Sequence, residues 1–178
     1  MSRIPYPDLS QLPDEMQRML AGTPLNIVRM GAHASQAMFE AQGRLAYAIA
    51  SPDVLDPKLR ETAILRVARL ADSRYELHHH HALARVAGLE ENEIAAILSG
   101  DYASLDPLLA AVAAFTDEIV RDVSPSDITL ERLRALVSDR VLVNIVLTVG
   151  NYMTIARLIA VTDPEIDDLP LAQLPTGR

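Results

Sequence analysis

The sequence predicts a single all-α domain of about six to eight helices, and three observations lead there. Ala and Leu dominate a 178-residue chain that is 49% hydrophobic but only 4% aromatic, a composition that favours helices. Helix start and stop signals recur along it, with Asp-Pro pairs at Asp56-Pro57 and Asp106-Pro107 and glycines at Gly88 and Gly100. Strand signals are absent, since no period-two apolar run is bounded by turn dipeptides.

The elements follow in order. Residues 1–13 are rich in proline and read as an extended arm. A short helix over 13–20 is closed by Ala21-Gly22-Thr23-Pro24. A longer helical stretch over 25–50 is interrupted near Gly31 and broken by Ser51-Pro52-Asp53. Asp56-Pro57 opens the helix that carries Glu61. Ser73 and Glu76 form an S-x-x-E capping box for the histidine-rich helix, which Gly88 ends. A short helix over 90–98 stops at Gly100, another runs from Pro107 to about Asp122, and helices over 129–137 and 140–161 complete the set. The proline-containing segment 163–178 reads as a second extended arm.

Composition excludes several functions. With no cysteine there is no disulfide, no thiolate nucleophile and no Cys-based zinc or iron–sulfur site. A net charge of −8 argues against nucleic acid or an anionic membrane as partner. The segment 141–160 is very apolar, yet Asn144, Asn151 and Arg157 mark it as a buried or interface helix and not a membrane span. No apolar core follows Arg3, so the start does not read as a signal peptide, and the expected location is cytoplasmic. The apolar excess on several helices predicts a homo-oligomer.

The chemistry lies in Glu61 and in Ser73-Arg74-Tyr75-Glu76-Leu77-His78-His79-His80-His81. At ~100° per residue, His80 sits at the centre of a face shared with Glu76, Leu77, Leu83, Ala84 and Ala87. His78 and His81 turn away beside Arg74 and Arg85, and His79 lies at the edge. Glu61 shares its own face with Ile64, Leu65 and Ala68, an expensive place for an unpaired carboxylate. The two helices meet near Ala71-Asp72-Ser73. Glu61 lies about 16 Å back from that turn and His80 about 12 Å forward, so an antiparallel hairpin brings them within reach. A Glu61–His80 pair satisfies both. His33 has no assigned partner, and Arg60, Arg66 and Arg69 read as a solvated or intersubunit face. Asn144, Thr148 and Asn151 form one stripe of helix-packing polar groups. Glu76 and His80 at i,i+4 are a possible metal-ligand pair, but H-E-x-x-H is absent and Glu76-Leu77-His78-His79 is a single E-x-x-H without a second copy, so no metal is expected.

Arg60-Glu61-Thr62-Ala63-Ile64-Leu65-Arg66-Val67-Ala68-Arg69-Leu70, then Tyr75-Glu76-Leu77, then His80 with Ala84-Arg85-Val86-Ala87-Gly88-Leu89, resembles the carboxymuconolactone decarboxylase family, which includes alkyl hydroperoxidase D. In the hydroperoxidase branch a Glu precedes a C-x-x-C-x-x-x-H motif. That Glu falls on Glu61, the His on His80, and the two cysteines on Ser73 and Glu76. The pattern here is similar to the cysteine-free decarboxylase branch, with Leu77 at a usually aromatic position. Asn151-Tyr152 with Ala156-Arg157 is also similar to the family's last helix.

The resemblance implies an alkyl hydroperoxidase D-like fold, a trimer or hexamer, and cofactor-free decarboxylation of a carboxymuconolactone-like or related unsaturated acid. His80, Glu61 and Glu76 are then the expected catalytic residues, and Tyr75, His79 and Asn151 the expected substrate-binding ones. Thiol-dependent peroxidase chemistry is excluded. The alternative is a ligand-binding oligomer without catalysis that kept the fold after losing the redox pair.

Overall fold

A computed structural model describes residues 2–174. Among the described residues there are nine α-helices and no strands. They are α1 (Asp14–Gly22), α2 (Asn26–Gly31), α3 (Gln36–Ala50), α4 (Pro57–Leu70), α5 (Arg74–Val86), α6 (Glu91–Ser99), α7 (Pro107–Arg121), α8 (Asp127–Arg134) and α9 (Asp139–Thr162). The count exceeds the expected range because the stretch over 25–50 is two helices, separated by the turn after Gly31.

The architecture is built around α4, which packs against α5, α6, α7 and α9. Leu59 and every residue from Glu61 to Ala68 are buried, so α4 has almost no solvent face. Its start is fixed by Asp56, whose side chain accepts from the N–H groups of Lys58 and Leu59, with Pro57 in the first turn. Its end is a Schellman closure. Ser73 N–H donates to Ala68 O at 2.9 Å and Asp72 N–H to Arg69 O at 3.3 Å, with Asp72 in the left-handed region at φ 50°. This short turn sends α5 back antiparallel along α4. The same closure ends α5, where Gly88 takes φ 90° and Leu89 N–H reaches Ala84 O at 3.0 Å.

Arg66 corrects one expectation. Read as solvated or intersubunit, it is 3% exposed and ties three elements together. Its Nε donates to Asp117 on α7 at 2.7 Å, and its Nη1 donates to Ile97 O at 2.6 Å, at the carbonyl end of α6. Tyr102 donates to the other Asp117 oxygen at 2.8 Å and lays its ring beneath the guanidinium. A cation at the open carbonyls of a helix end is favourable, and the planar fork serves both helices at once.

Residues 2–8 and 163–170 run without regular helix and meet on one side of the bundle; residue 1 and residues 175–178, the outer ends of the two expected arms, lie outside the described residues. Arg3 N–H donates to Thr162 O at 2.8 Å, and Tyr6 donates to Glu165 at 2.7 Å. His33, left without a partner by the sequence, places Nε2 at 2.8 Å from Pro5 O. The C-terminal segment then crosses α5 and ends in a 3-10 turn at Leu171–Gln173. Leu171 and Leu174 pack against a small core of Leu25, Ile27, Met30, Tyr75 and Ile159.

By length and composition α9 could cross a membrane, with a hydropathy of 1.5 over its most apolar window. Here it packs on α4 and α7, burying Ile145, Thr148, Val149, Asn151, Ala156, Ile159 and Thr162. Asn144 makes the packing bond expected of it, Nδ2 to Val54 O at 2.6 Å.

Replacing Arg66 by Met should cost about 3–5 kcal/mol, the usual penalty for breaking a buried ion pair from one side. Denaturant unfolding measures it, and a loss below about 1 kcal/mol would show that Asp117 is not left uncompensated.

Candidate active site on helices 4, 5 and 9

Glu61 projects from α4 toward α5 and is 1% exposed. The expected pair is present: His80 Nδ1 lies 2.8 Å from Glu61 Oε2. The other oxygen, Oε1, accepts from Arg60 Nε at 2.9 Å. Burial alone would raise the Glu61 pKa. The charges and hydrogen bonds of His80 and Arg60 outweigh it and hold the carboxyl below its ordinary value. An ionised carboxylate only accepts, so His80 must carry a proton on Nδ1. Its working nitrogen is Nε2.

Glu76 shows the opposite balance. It is 2% exposed, and neither carboxyl oxygen has a hydrogen-bond partner among the described residues. Burial raises its pKa to about 7, against weaker opposing influences of the Ser73 hydroxyl and the His80 charge. The capping box expected here is half made. Ser73 Oγ accepts from Glu76 N–H at 3.4 Å, but the Glu76 side chain does not return to the backbone. Its carboxyl turns inward instead, toward the side where His80 stands.

The sequence missed Tyr152 as a site residue. Its ring meets the His80 ring edge-on, centroids 4.9 Å apart at 89°. Burial first, and then the charges of Glu61 and Glu76, push its hydroxyl pKa well above the ordinary tyrosine value. It stays a neutral phenol. The signal was its place next to Asn151 on an apolar helix, too weak without knowledge of which face of α9 meets α5.

The three expected substrate-binding residues fall in two other places. Tyr75 and His79 belong to the clasp that holds the C-terminal segment. Tyr75 OH accepts from Ile27 N–H at 3.1 Å and donates to Asp167. His79 is 3% exposed, correcting its edge position on the wheel, because the segment after α9 covers it. His79 Nε2 lies 3.2 Å from Asp167, and Leu171 N–H donates to Nδ1 at 3.0 Å. A nitrogen that accepts from an N–H carries no proton, so His79 is neutral with its hydrogen on Nε2. Burial leads in lowering its pKa to about 4, helped by His78 and His80 against the pull of Asp167. Asn151 is buried on α9, where Oδ1 accepts from Gln42 Nε2 on α3 at 2.6 Å. Its Nδ2 has no partner among the described residues.

His78 and His81 are half-buried, not fully turned out. Among the described residues no group of three or more His, Asp or Glu side chains is placed to hold a metal ion. Glu61, the obvious third ligand to Glu76 and His80, has both oxygens engaged.

Glu76 gives a stability test. Its folded-state pKa lies above the ordinary 4.5, so the native protein holds a proton that the unfolded chain releases. That contribution is complete below about 4.5 and is lost as pH rises through about 7. Relative to the native protein, Glu76→Gln should therefore gain up to about 3 kcal/mol between pH 4 and pH 8.5. Thermal unfolding across that range reads the change. A difference that does not vary with pH would mean the folded state leaves the Glu76 pKa unshifted.

Comparison with known proteins agrees with this fold. Residues 36–118, from α3 to α7, match the model of the carboxymuconolactone decarboxylase family. No curated protein matches the sequence. An alkylhydroperoxidase AhpD core protein from Ralstonia eutropha JMP134, described as peroxidase-related, superposes with a TM-score of 0.80 at 18% identity, over 94% of this chain and 93% of its own. A putative antioxidant defence protein AhpD from Agrobacterium tumefaciens gives a TM-score of 0.68 at 22% identity, over 76% and 94%. The debrominase Bmp8, in a complex with 2,3,4-tribromopyrrole, gives 0.78 at 16%, over 94% and 95%. Glu61 and His80 are paired at the motif positions, the sequence has no cysteine, the segment 36–118 matches the carboxymuconolactone decarboxylase family, and the fold is alkyl hydroperoxidase D-like.

Proposed function

We propose that this protein is a cofactor-free decarboxylase acting on a carboxymuconolactone-like or related unsaturated acid. The observation that carries the reading is the contrast between two buried carboxyls at one histidine. Glu61 is ionised and bonded to His80 Nδ1, while Glu76 has no partner among the described residues and holds its proton to about pH 7. Paired titratable groups pushed apart in this way are suited to separate acid and base roles.

The chemistry follows from the assignment. The bond between the substrate carbon and its carboxylate breaks, and carbon dioxide leaves. The electron pair moves into the conjugated carbonyl as a dienolate. His80, held by Glu61, donates from Nε2 to that oxygen as its charge develops. Glu76 delivers its proton to carbon, and the carbonyl reforms as the proton on oxygen is returned. A solvent proton then restores Glu76. Tyr152 supplies a flat neutral wall at His80. The debrominase relative was solved with a small planar ring, which fits a substrate of this size. Thiol peroxidase chemistry has no nucleophile in this chain.

Self-association is part of the same reading. Met38, Leu45 and Tyr47 on α3 and Val143, Val146 and Leu147 on α9 are exposed, and Gln42–Asn151 joins the two helices. An apolar face spread over two adjoining helices suits a second copy of the chain. The alternative, a ligand-binding oligomer without catalysis, rests on the deep burial of all three acid–base side chains.

His80→Gln should lower carbon dioxide release from lactone and muconate acids by about two to four powers of ten. His78→Gln and His81→Gln should change it little. Activity that needs protonated Glu76 should fall as pH rises through about 7. A fully active His80→Gln protein, or equal losses at all three histidines, would return the site to the binding reading.

Light scattering should show a trimer or larger, dissociated by Tyr47→Glu together with Leu147→Glu. A native monomer at micromolar concentration contradicts the apolar face as an interface.

A further inference from the structure

A cleft of about 270 Å³ opens between the start of α4 and the end of α5, walled by Pro52, Pro57, Leu83, Val86 and Ala87, with Arg60 as its charged lining residue. The Arg60 guanidinium is fixed on two sides. Nε donates to Glu61, and Nη1 donates to Ala50 O at 2.9 Å. Nη2 has no hydrogen bond among the described residues and reaches solvent. No acidic residue lines the cleft to compete for that edge. Val86 is 74% exposed, so an apolar surface stands uncovered beside the cation.

We propose that this cleft is a binding site for a small organic monoanion, a single-ring or short-chain carboxylate, with Arg60 as its cation. A guanidinium held in place by the protein loses little freedom on binding and presents a planar edge that matches a carboxylate. The apolar walls take the hydrocarbon part, and the volume limits the ligand to about one ring. The cleft is wired to the buried site. Arg60 bonds one oxygen of Glu61, and the other oxygen bonds His80. An anion that draws on Arg60 leaves Glu61 more dependent on His80, so occupancy of the cleft is felt at the imidazole. None of this requires the buried residues to be catalytic.

The test is a titration of the full chain with benzoate, followed by NMR, with benzyl alcohol as the uncharged counterpart. The expected result is saturable shifts of the Leu83, Val86 and Ala87 methyl signals and of the Arg60 Nε–H. Half-saturation should fall below about 10 mM, in line with a nine-atom ligand. Benzyl alcohol should bind at least about tenfold more weakly. Val86→Glu, at an exposed position that leaves Arg60 and Glu61 untouched, should weaken benzoate at least about tenfold. Arg60→Gln should abolish it. Absent or unsaturable shifts, equal binding of benzyl alcohol, unchanged affinity in Val86→Glu, or shifts confined to other surfaces would each overturn the proposal. Loss of decarboxylase activity has no bearing on these readouts.

Discussion

The structure depends on the burial of α4. A helix enclosed by four others has no face on which to solvate a charge, yet this one carries Glu61 and Arg66 among its buried residues. Each can be there only with partners, because an unpaired buried charge costs more than the packing returns. Their partners come from different neighbours. Arg66 recruits Asp117 from α7 and the closing carbonyl of α6. Glu61 recruits His80 from α5 and Arg60 from the next position on its own helix. The two charges therefore tie α5, α6 and α7 to α4 at set depths, and the position of His80 is one result.

One environment produces two opposite carboxyls. Glu61 and Glu76 are equally buried, and burial raises the pKa of both. The difference lies in the partners. Glu61 has Arg60 and His80, each hydrogen-bonded, and stays ionised. Glu76 has only the more distant charge of His80, with no hydrogen bond to either oxygen among the described residues, and keeps its proton. No unusual residue is needed to create an acid and a base within one buried cluster. The placement of Arg60 and of the His80 Nδ1 atom is sufficient.

What was legible in the sequence were the contacts set by a short turn. The helix boundaries, the hairpin between α4 and α5 and the Glu61–His80 pair all follow from local periodicity, a cap at Ser73 and 1.5 Å per residue. Contacts between distant segments were not legible. Arg66 looked solvated because its partners lie 31 and 51 residues away on α6 and α7. His79 looked peripheral because the wheel of α5 knows nothing of a segment 88 residues later. Tyr152 enters the site through the rotation of α9 on α4, which is set by packing across several helices. Only the return half of the box at Glu76 departs from the sequence pattern: Ser73 caps Glu76 N–H, while the Glu76 side chain turns inward.

The clasp on the C-terminal segment also clarifies the run of four histidines. His79 and His80 are neighbours, but their nitrogens are committed differently. On His79, Nε2–H faces Asp167 and Nδ1 accepts from Leu171 N–H, so both ring nitrogens have a structural role. Burial is the main reason this ring resists charge, and protonating Nδ1 would also set two donors against each other. On His80 only Nδ1 is committed, and its partner is an ionised carboxylate that tolerates either charge state of the ring. One histidine is thereby locked at both nitrogens, while the next keeps Nε2 without a hydrogen bond among the described residues.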